Sequence, residues 1–269
     1  MNEKNFYVLH KNFLNISLSF DCGQAFRWRV SPDGIITGVA FGKVIKIEER
    51  ENEAVFYGTD EKEFGDIWAK YLDLGRDYGA ICRSFESDRY LRQAVRAYPG
   101  IRILRQEPWE ALCSFIISQN NNIPRIKGII ERLCETLGDD LGGGFYSFPS
   151  PEKVLAAGAE GLAPLRAGFR VKYILDAAAK VCDGTVDFDR IDKSGLEEAA
   201  EELKTIKGVG DKVAACALLY GFGKVDALPV DTWVKKILAE TYPDGLPACT
   251  KGVRGIAQQY LFHYKRMNG

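Results

Sequence analysis

A change of periodicity near residue 105 constrains this chain more than any other feature of its sequence. Before it, FRWRV, IITGVAF, GKVIKIEER and EAVFYGT are short runs rich in β-branched and aromatic residues, and the turn signal SPDG separates the first two. Such runs predict an antiparallel meander with one covered face. Two helical patterns, FGDIWAKYLDLG and YLRQAVRAYPG, interrupt or follow it. From Trp109 onward apolar residues recur at helical spacing in segment after segment, from WEALCSFIISQ and IPRIKGIIERLCETLG to DTWVKKILAETY and GIAQQYLFHYKRM. The Gly-rich LGDDLGGGFYSFPSP predicts a surface loop, with Ser147 and Ser150 suited to open helices. The prediction is an α+β chain: an N-terminal antiparallel sheet domain with helices over 1–104 and a helical body over 105–269.

With 269 residues, 46% of them hydrophobic, the chain can bury a proper core as one large domain or two smaller ones. Its net charge of −1 does not mark a nucleic-acid binder, although a local basic face still acts on phosphates within a Debye length. Seven cysteines are scattered without a CxxC pair, which predicts reduced thiols. With only His10 and His263 besides, no zinc or iron–sulfur ligand set is predicted, and no cofactor. The opening MNEKNFYVLHKNF lacks a signal-peptide core, and no apolar run approaches the roughly 20 residues of a membrane span. The expectation is a soluble cytoplasmic monomer, nucleoid-associated if bacterial.

LKTIKGVGDKVAAC sets a Gly-Val-Gly tripeptide between two helical patterns, with a helix–hairpin–helix expected over 197–222. The first helix is expected to end at Lys207, because Gly208 permits a left-handed exit. Val209 then plugs the core, and Gly210 lets the second helix start tightly with its amides open to an anion; Gly208, Val209 and Gly210 are the expected contacts to a DNA phosphate. The tripeptide alone reads as an ordinary joint between helices. Lys212 adds to it: in the first helical turn the dipole disfavours a cation, and Val213, Ala214 and Ala215 give it an apolar wall. Both effects favour the neutral amine, the nucleophilic form. Cys216 shares the face of Lys212 at i+4, where it either orients the amine or fills the core, and it is a candidate base-binding residue. Asp231, in LPVDTWVKK, suits a helix N-cap, where its fixed carboxylate could steady positive charge on a sugar ring. Lysine and aspartate together suggest amine attack on a sugar C1′.

The stretch Leu203 to Leu238 resembles the helix–hairpin–helix and Gly/Pro-rich loop with aspartate (HhH-GPD) of the base-excision DNA glycosylases. Across nearly the whole chain the similarity is closest to the 8-oxoguanine DNA glycosylases. That resemblance implies a TBP-like N-terminal sheet domain, with Lys212 as the Schiff-base lysine and Asp231 as the essential aspartate. It also implies double-stranded DNA containing 8-oxoguanine as the partner, and excision followed by strand cleavage.

FDCGQAFRW, Phe20 to Trp28, resembles the family stretch whose glycine brings its carbonyl to the N7–H of the oxidised purine, here Gly23. Guanine's N7 is an acceptor and would be repelled there; a plain strand bend is the other reading of Gly23. GIAQQYLFHYKR resembles the helix that closes the base pocket, with Gln258 on the Watson–Crick edge and Phe262 stacked on its face. Spacing alone fits a core phenylalanine on an amphipathic helix equally well. In SFIISQNNNIPRI the resemblance assigns Asn120 to the gap left by the flipped base and Arg125 to the orphaned cytosine. In LRAGFRVKY it assigns Phe169 as the wedge and Arg170 as a second donor to cytosine. The chain departs from the family in having Phe169 where tyrosine is frequent and Trp233 where many relatives have histidine. The four-cysteine cluster of endonuclease III and the adenine glycosylases is missing.

Two rival readings are a monofunctional glycosylase for alkylated bases and a non-catalytic helix–hairpin–helix DNA-binding module. The first has no lysine at the place of Lys212; the second gives no reason for Lys212, Gly23 or Gln258.

Overall fold

In the computed structural model, which describes residues 5–268, five strands form one antiparallel sheet. They are β1 (Phe6–His10), β2 (Trp28–Val30), β3 (Ile35–Ala40), β4 (Lys43–Glu49) and β5 (Glu53–Tyr57), in the spatial order β1-β5-β4-β3-β2. Strands β2 to β5 are the expected meander. FYVLH, β1, is rich in aromatic and β-branched residues but lies outside the expected meander; it pairs with β5 from Phe6 opposite Tyr57 to His10 opposite Glu53.

One sheet face is covered, as the alternation requires. Ile36, Ile45, Ile47, Ala54 and Phe56 point into a core shared with α1 (Ile16–Asp21) and a helical stretch over 61–71. Trp28 anchors it, stacked 4.0 Å from the Phe20 ring, with its indole N–H donating to Tyr71 Oη at 2.9 Å. Its cross-strand partner is Gly38, where a Cβ would sit 2.3 Å from the indole. Burying a ring of that size contributes at least about 3 kcal/mol, which here requires glycine opposite.

The remaining helices are α2 (Tyr78–Ser84), α3 (Arg89–Ala97), α4 (Pro108–Ile117), α5 (Ile123–Leu137), α6 (Pro151–Gly161), α7 (Arg170–Cys182), α8 (Phe188–Lys193), α9 (Leu196–Lys204), α10 (Asp211–Tyr220), α11 (Thr232–Thr241) and α12 (Arg254–Asn268). They surround a second core centred on α4, whose residues from Trp109 to Ile117 are all buried. Phe26 and Cys22, from the turn before β2, belong to this second core, so the sheet's entrance loop is part of the helical body.

Local chemistry sets the helix starts. Asn122, Ser150 and Asp231 each accept a hydrogen bond from a backbone N–H three residues on, satisfying donors the helix leaves free. Ser147 opens no helix: its Oγ accepts from Asp139 N at 2.8 Å and closes a small hairpin, β6 (Asp140–Gly142) with β7 (Phe145–Tyr146), where a loop was expected. Helix α9 ends at Lys204, short of the expected Lys207, because Thr205 and Ile206 turn back onto the carbonyls of Glu202 and Leu203.

Candidate active site

The hairpin between α9 and α10 is shaped by its glycines. Gly208 has φ +78°, and a Cβ there would lie 2.4 Å from the Tyr173 ring of α7, so only glycine fits both the turn and the packing. Val209 is buried, and its N–H donates to Ile206 O at 3.1 Å. It is therefore a structural plug; the expected place for Val209 in an anion cradle does not extend to its amide. Gly210 is the N-cap of α10 in extended conformation, with no side-chain cap and open space around it. The amides that begin α10 therefore face outward with the positive end of the helix dipole.

One turn inside α10, Lys212 Nζ donates to Ser118 Oγ at 3.1 Å and lies 5.2 Å from the centre of the Phe115 ring. Ser118 in turn donates to Phe115 O at 2.8 Å, so its hydroxyl meets Lys212 with a lone pair. Lys212 shares a pocket with Asp231, Gly23, Cys216, Gln258 and Phe262, and Phe115, Tyr220, Pro229 and Gln259 complete the lining. Asp231 Oδ1 accepts from Val234 N at 2.8 Å, which fixes the carboxylate at the head of α11. Cys216 both lines the pocket and is buried. Burial pushes its thiol up to about 11 against the pull of Lys212, so it is neutral at physiological pH.

Gly23 lies in the turn between α1 and β2 with φ +85°, and a Cβ there would stand 3.4 Å from the Phe262 ring. The turn is clamped on either side. Gln259 Nε2 donates to Cys22 O at 2.9 Å, and Gln106 Nε2 donates to Gln24 O at 2.7 Å. Gly23's own carbonyl accepts no hydrogen bond among the described residues. Gln258 is 4% exposed, and its Oε1 has no partner among them. A buried amide oxygen left so costs about 1–3 kcal/mol.

A second cluster stands where α4 meets α5 and α6 meets α7. Asn120 is exposed with φ +47°, while its neighbours Asn121 and Asn122 are used in capping the two helices. Arg125 is exposed in the first turn of α5. Phe169 is 44% exposed, its ring edge-on to Tyr173 at 5.7 Å. Arg170, expected as a second donor to cytosine, is buried and donates to the carbonyls of Gln119, Asn120 and Ala167 while stacking on Phe169. Its fork holds the Asn120 loop and the Phe169 loop together.

The model of the 8-oxoguanine DNA glycosylase N-terminal domain matches residues 7–112, and that of the HhH-GPD superfamily base excision DNA repair proteins matches 113–245. The solved MBOgg1, in complex with a low-affinity DNA ligand, superposes with TM-score 0.91 at 39% identity over 98% of this chain and 96% of that one. The chain belongs to the 8-oxoguanine DNA glycosylase family. The family's 8-oxoguanine glycosylase/lyase from Clostridium acetobutylicum, solved with dsDNA containing cytosine opposite 8-oxoG, is 36% identical with TM-score 0.89, covering 97% of this chain and 98% of that one. The N-glycosylase/DNA lyase OGG1 of Arabidopsis thaliana is 31% identical over 83% of this chain, which spans 65% of that relative's length.

Within this family frame, Ser118, Phe115, Tyr220 and Gln259 are site residues that sequence reasoning did not single out. Phe115 and Ser118 stand at i and i+3, one helix face, in WEALCSFIISQ, but nothing local says that this face meets Lys212. Gln259 bonds both Cys22 O and Tyr220 Oη, at 2.9 and 2.6 Å, joining the sheet's entrance loop, α10 and α12. Among the described residues no group of three or more His, Cys, Asp or Glu is placed to hold a metal, and no helix is long and apolar enough to cross a membrane.

Proposed function

We propose that the protein flips 8-oxoguanine out of duplex DNA, excises it by preference opposite cytosine, and cuts the strand by β-elimination. The single observation that supports this is the meeting of Lys212, Asp231, Gly23, Gln258 and Phe262 in one pocket. The complex of the Clostridium acetobutylicum relative with dsDNA containing cytosine opposite 8-oxoG accords with the reading.

The base enters between Phe262 and Cys216, with Gly23 O accepting from its N7–H and Gln258 on its Watson–Crick edge. Lys212 Nζ, as the free amine, attacks C1′ while the C1′–N9 bond breaks and its electron pair leaves with the base. Asp231 steadies the positive charge gathering on the sugar. Ring opening at O4′ gives the Schiff base. Loss of a C2′ proton then expels the 3′ phosphate, cutting the strand 3′ to the lesion. The departing base can carry protons, because the pocket holds few other titratable groups. Asn120, Arg125 and Phe169 occupy the gap, meet the orphaned cytosine and wedge the stack apart. The amides from Gly210 onward grip a phosphate.

Borohydride trapping on a duplex with one 8-oxoguanine opposite cytosine tests this, wild type beside Lys212→Gln. A covalent protein–DNA band in the wild type alone is expected. Absence of the band, with base release from alkylated DNA instead, moves the protein to the monofunctional class.

A further inference from the structure

The loop that carries Phe169 also carries an arginine in a conformation arginine rarely adopts. Arg166 has φ +53° and ψ +35°, in the left-handed region that disfavours any residue with a Cβ. Its neighbours Leu165 and Ala167 are fully buried, and both carbonyls are held: Arg132 donates twice to Leu165 O, at 2.8 and 3.1 Å, and Arg170 donates to Ala167 O at 3.1 Å. With the backbone fixed on either side, the Arg166 side chain is exposed, and no hydrogen bond, ion pair or ring contact engages its guanidinium among the described residues. Glycine would take the same backbone without strain. No contact of the guanidinium among the described residues offsets the choice of arginine, and a local strain that the fold does not reward points to function.

We infer that Arg166 is a DNA-contacting residue, donating to a phosphodiester beside the base step that Phe169 opens. Arg170 is buried and occupied, so Arg166 is the arginine of this loop that faces a duplex. Arg166 lies three positions before Phe169, at most about 10 Å of chain. A duplex carries one charge per about 1.7 Å of axis, so any duplex that receives Phe169 brings phosphate within reach of the guanidinium.

The inference rests on the glycosylase reading above, and one experiment separates the two. Binding of the full chain to a duplex with a tetrahydrofuran abasic analogue opposite cytosine is followed by anisotropy across a salt series, for wild type, Arg166→Gly and Arg166→Lys. Arg166→Gly is expected to bind roughly tenfold more weakly at 0.1 M salt, with the slope of log K against log salt smaller by about 0.9; Arg166→Lys keeps the slope. The melting temperature of Arg166→Gly is expected to hold or rise by a few degrees, as strain is released. An unchanged slope in Arg166→Gly overturns the contact, and so does a fall in its melting temperature, which would make the residue structural. A wild type that binds no duplex overturns the glycosylase reading itself.

Discussion

Lys212 Nζ donates to Ser118 Oγ at 3.1 Å across 94 positions of sequence, joining the first turn of α10 to the end of α4. The hydroxyl gives the amine a fixed partner at the pocket, and the Phe115 ring lies 5.2 Å from it. Ser118→Ala removes that partner and leaves the amine. Single-turnover excision is expected to fall about tenfold, the rate equivalent of about 1.4 kcal/mol, with duplex affinity within about twofold and Ser118→Thr restoring most of the rate. A rate unchanged in Ser118→Ala would mean that Lys212 is oriented by the bound DNA alone.

Asp231 has two jobs that different substitutions separate. Asn keeps an oxygen for Val234 N, so Asp231→Asn should unfold in urea within about 0.5 kcal/mol of wild type yet lose on the order of a hundredfold in excision. Asp231→Ala should lose the activity and about 1 kcal/mol of stability as well. Full activity in the Asn variant would reduce Asp231 to a helix cap.

The orphaned Oε1 of Gln258 makes an uncommon expectation: an apolar replacement of similar size should not destabilise the protein. Gln258→Leu is expected to melt at or above the wild-type temperature while losing on the order of a hundredfold in 8-oxoguanine excision. A clear drop in melting temperature would show that the amide serves packing first.

His263 sets an acid limit on stability. It is 3% exposed, edge-on to Tyr98 at 4.5 Å, and its Nδ1 has no partner among the described residues. Burial pushes its imidazole down to about 4, with Arg266 adding to the effect and Asp21 opposing it. The folded value lies below the ordinary 6.5 or so, so protons favour the unfolded chain. The neutral ring's contribution is complete above about pH 6.5 and is lost as pH falls towards 4. Between those limits the wild type should lose on the order of 2–3 kcal/mol more than His263→Phe in urea unfolding. Parallel losses in the two proteins would assign the acid sensitivity elsewhere.

Features that are local demands on the backbone were legible in the sequence. Gly208 must take a positive φ, Asp231 must cap a helix, and α10 must begin at Gly210 with open amides; each is set by residues a few positions apart. The periodicities likewise foretold β2 to β5 and the helices of the body, because burial on one face imposes its period on whichever residues form it. The similarity to the glycosylases brought Gly23, Gln258 and Phe262 to one site with Lys212, and the pocket contains them all.

What only the tertiary structure decided depends on partners distant in sequence. The place of β1 at the sheet edge is set by its pairing with β5, and α9 stops early because Thr205 and Ile206 turn back onto the carbonyls of Glu202 and Leu203. Arg170 reads in sequence as a second donor to cytosine beside a wedge, yet the carbonyls of Gln119 and Asn120 take it inside, leaving Arg166 exposed. Ser118, Gln259 and Tyr220 gain their places only when α4, α10, α12 and the turn around Cys22 close on one another. Sequence determines which groups a segment must satisfy locally; which distant donor or acceptor satisfies the rest is chosen by packing, where a buried polar group left alone costs more than almost any local preference.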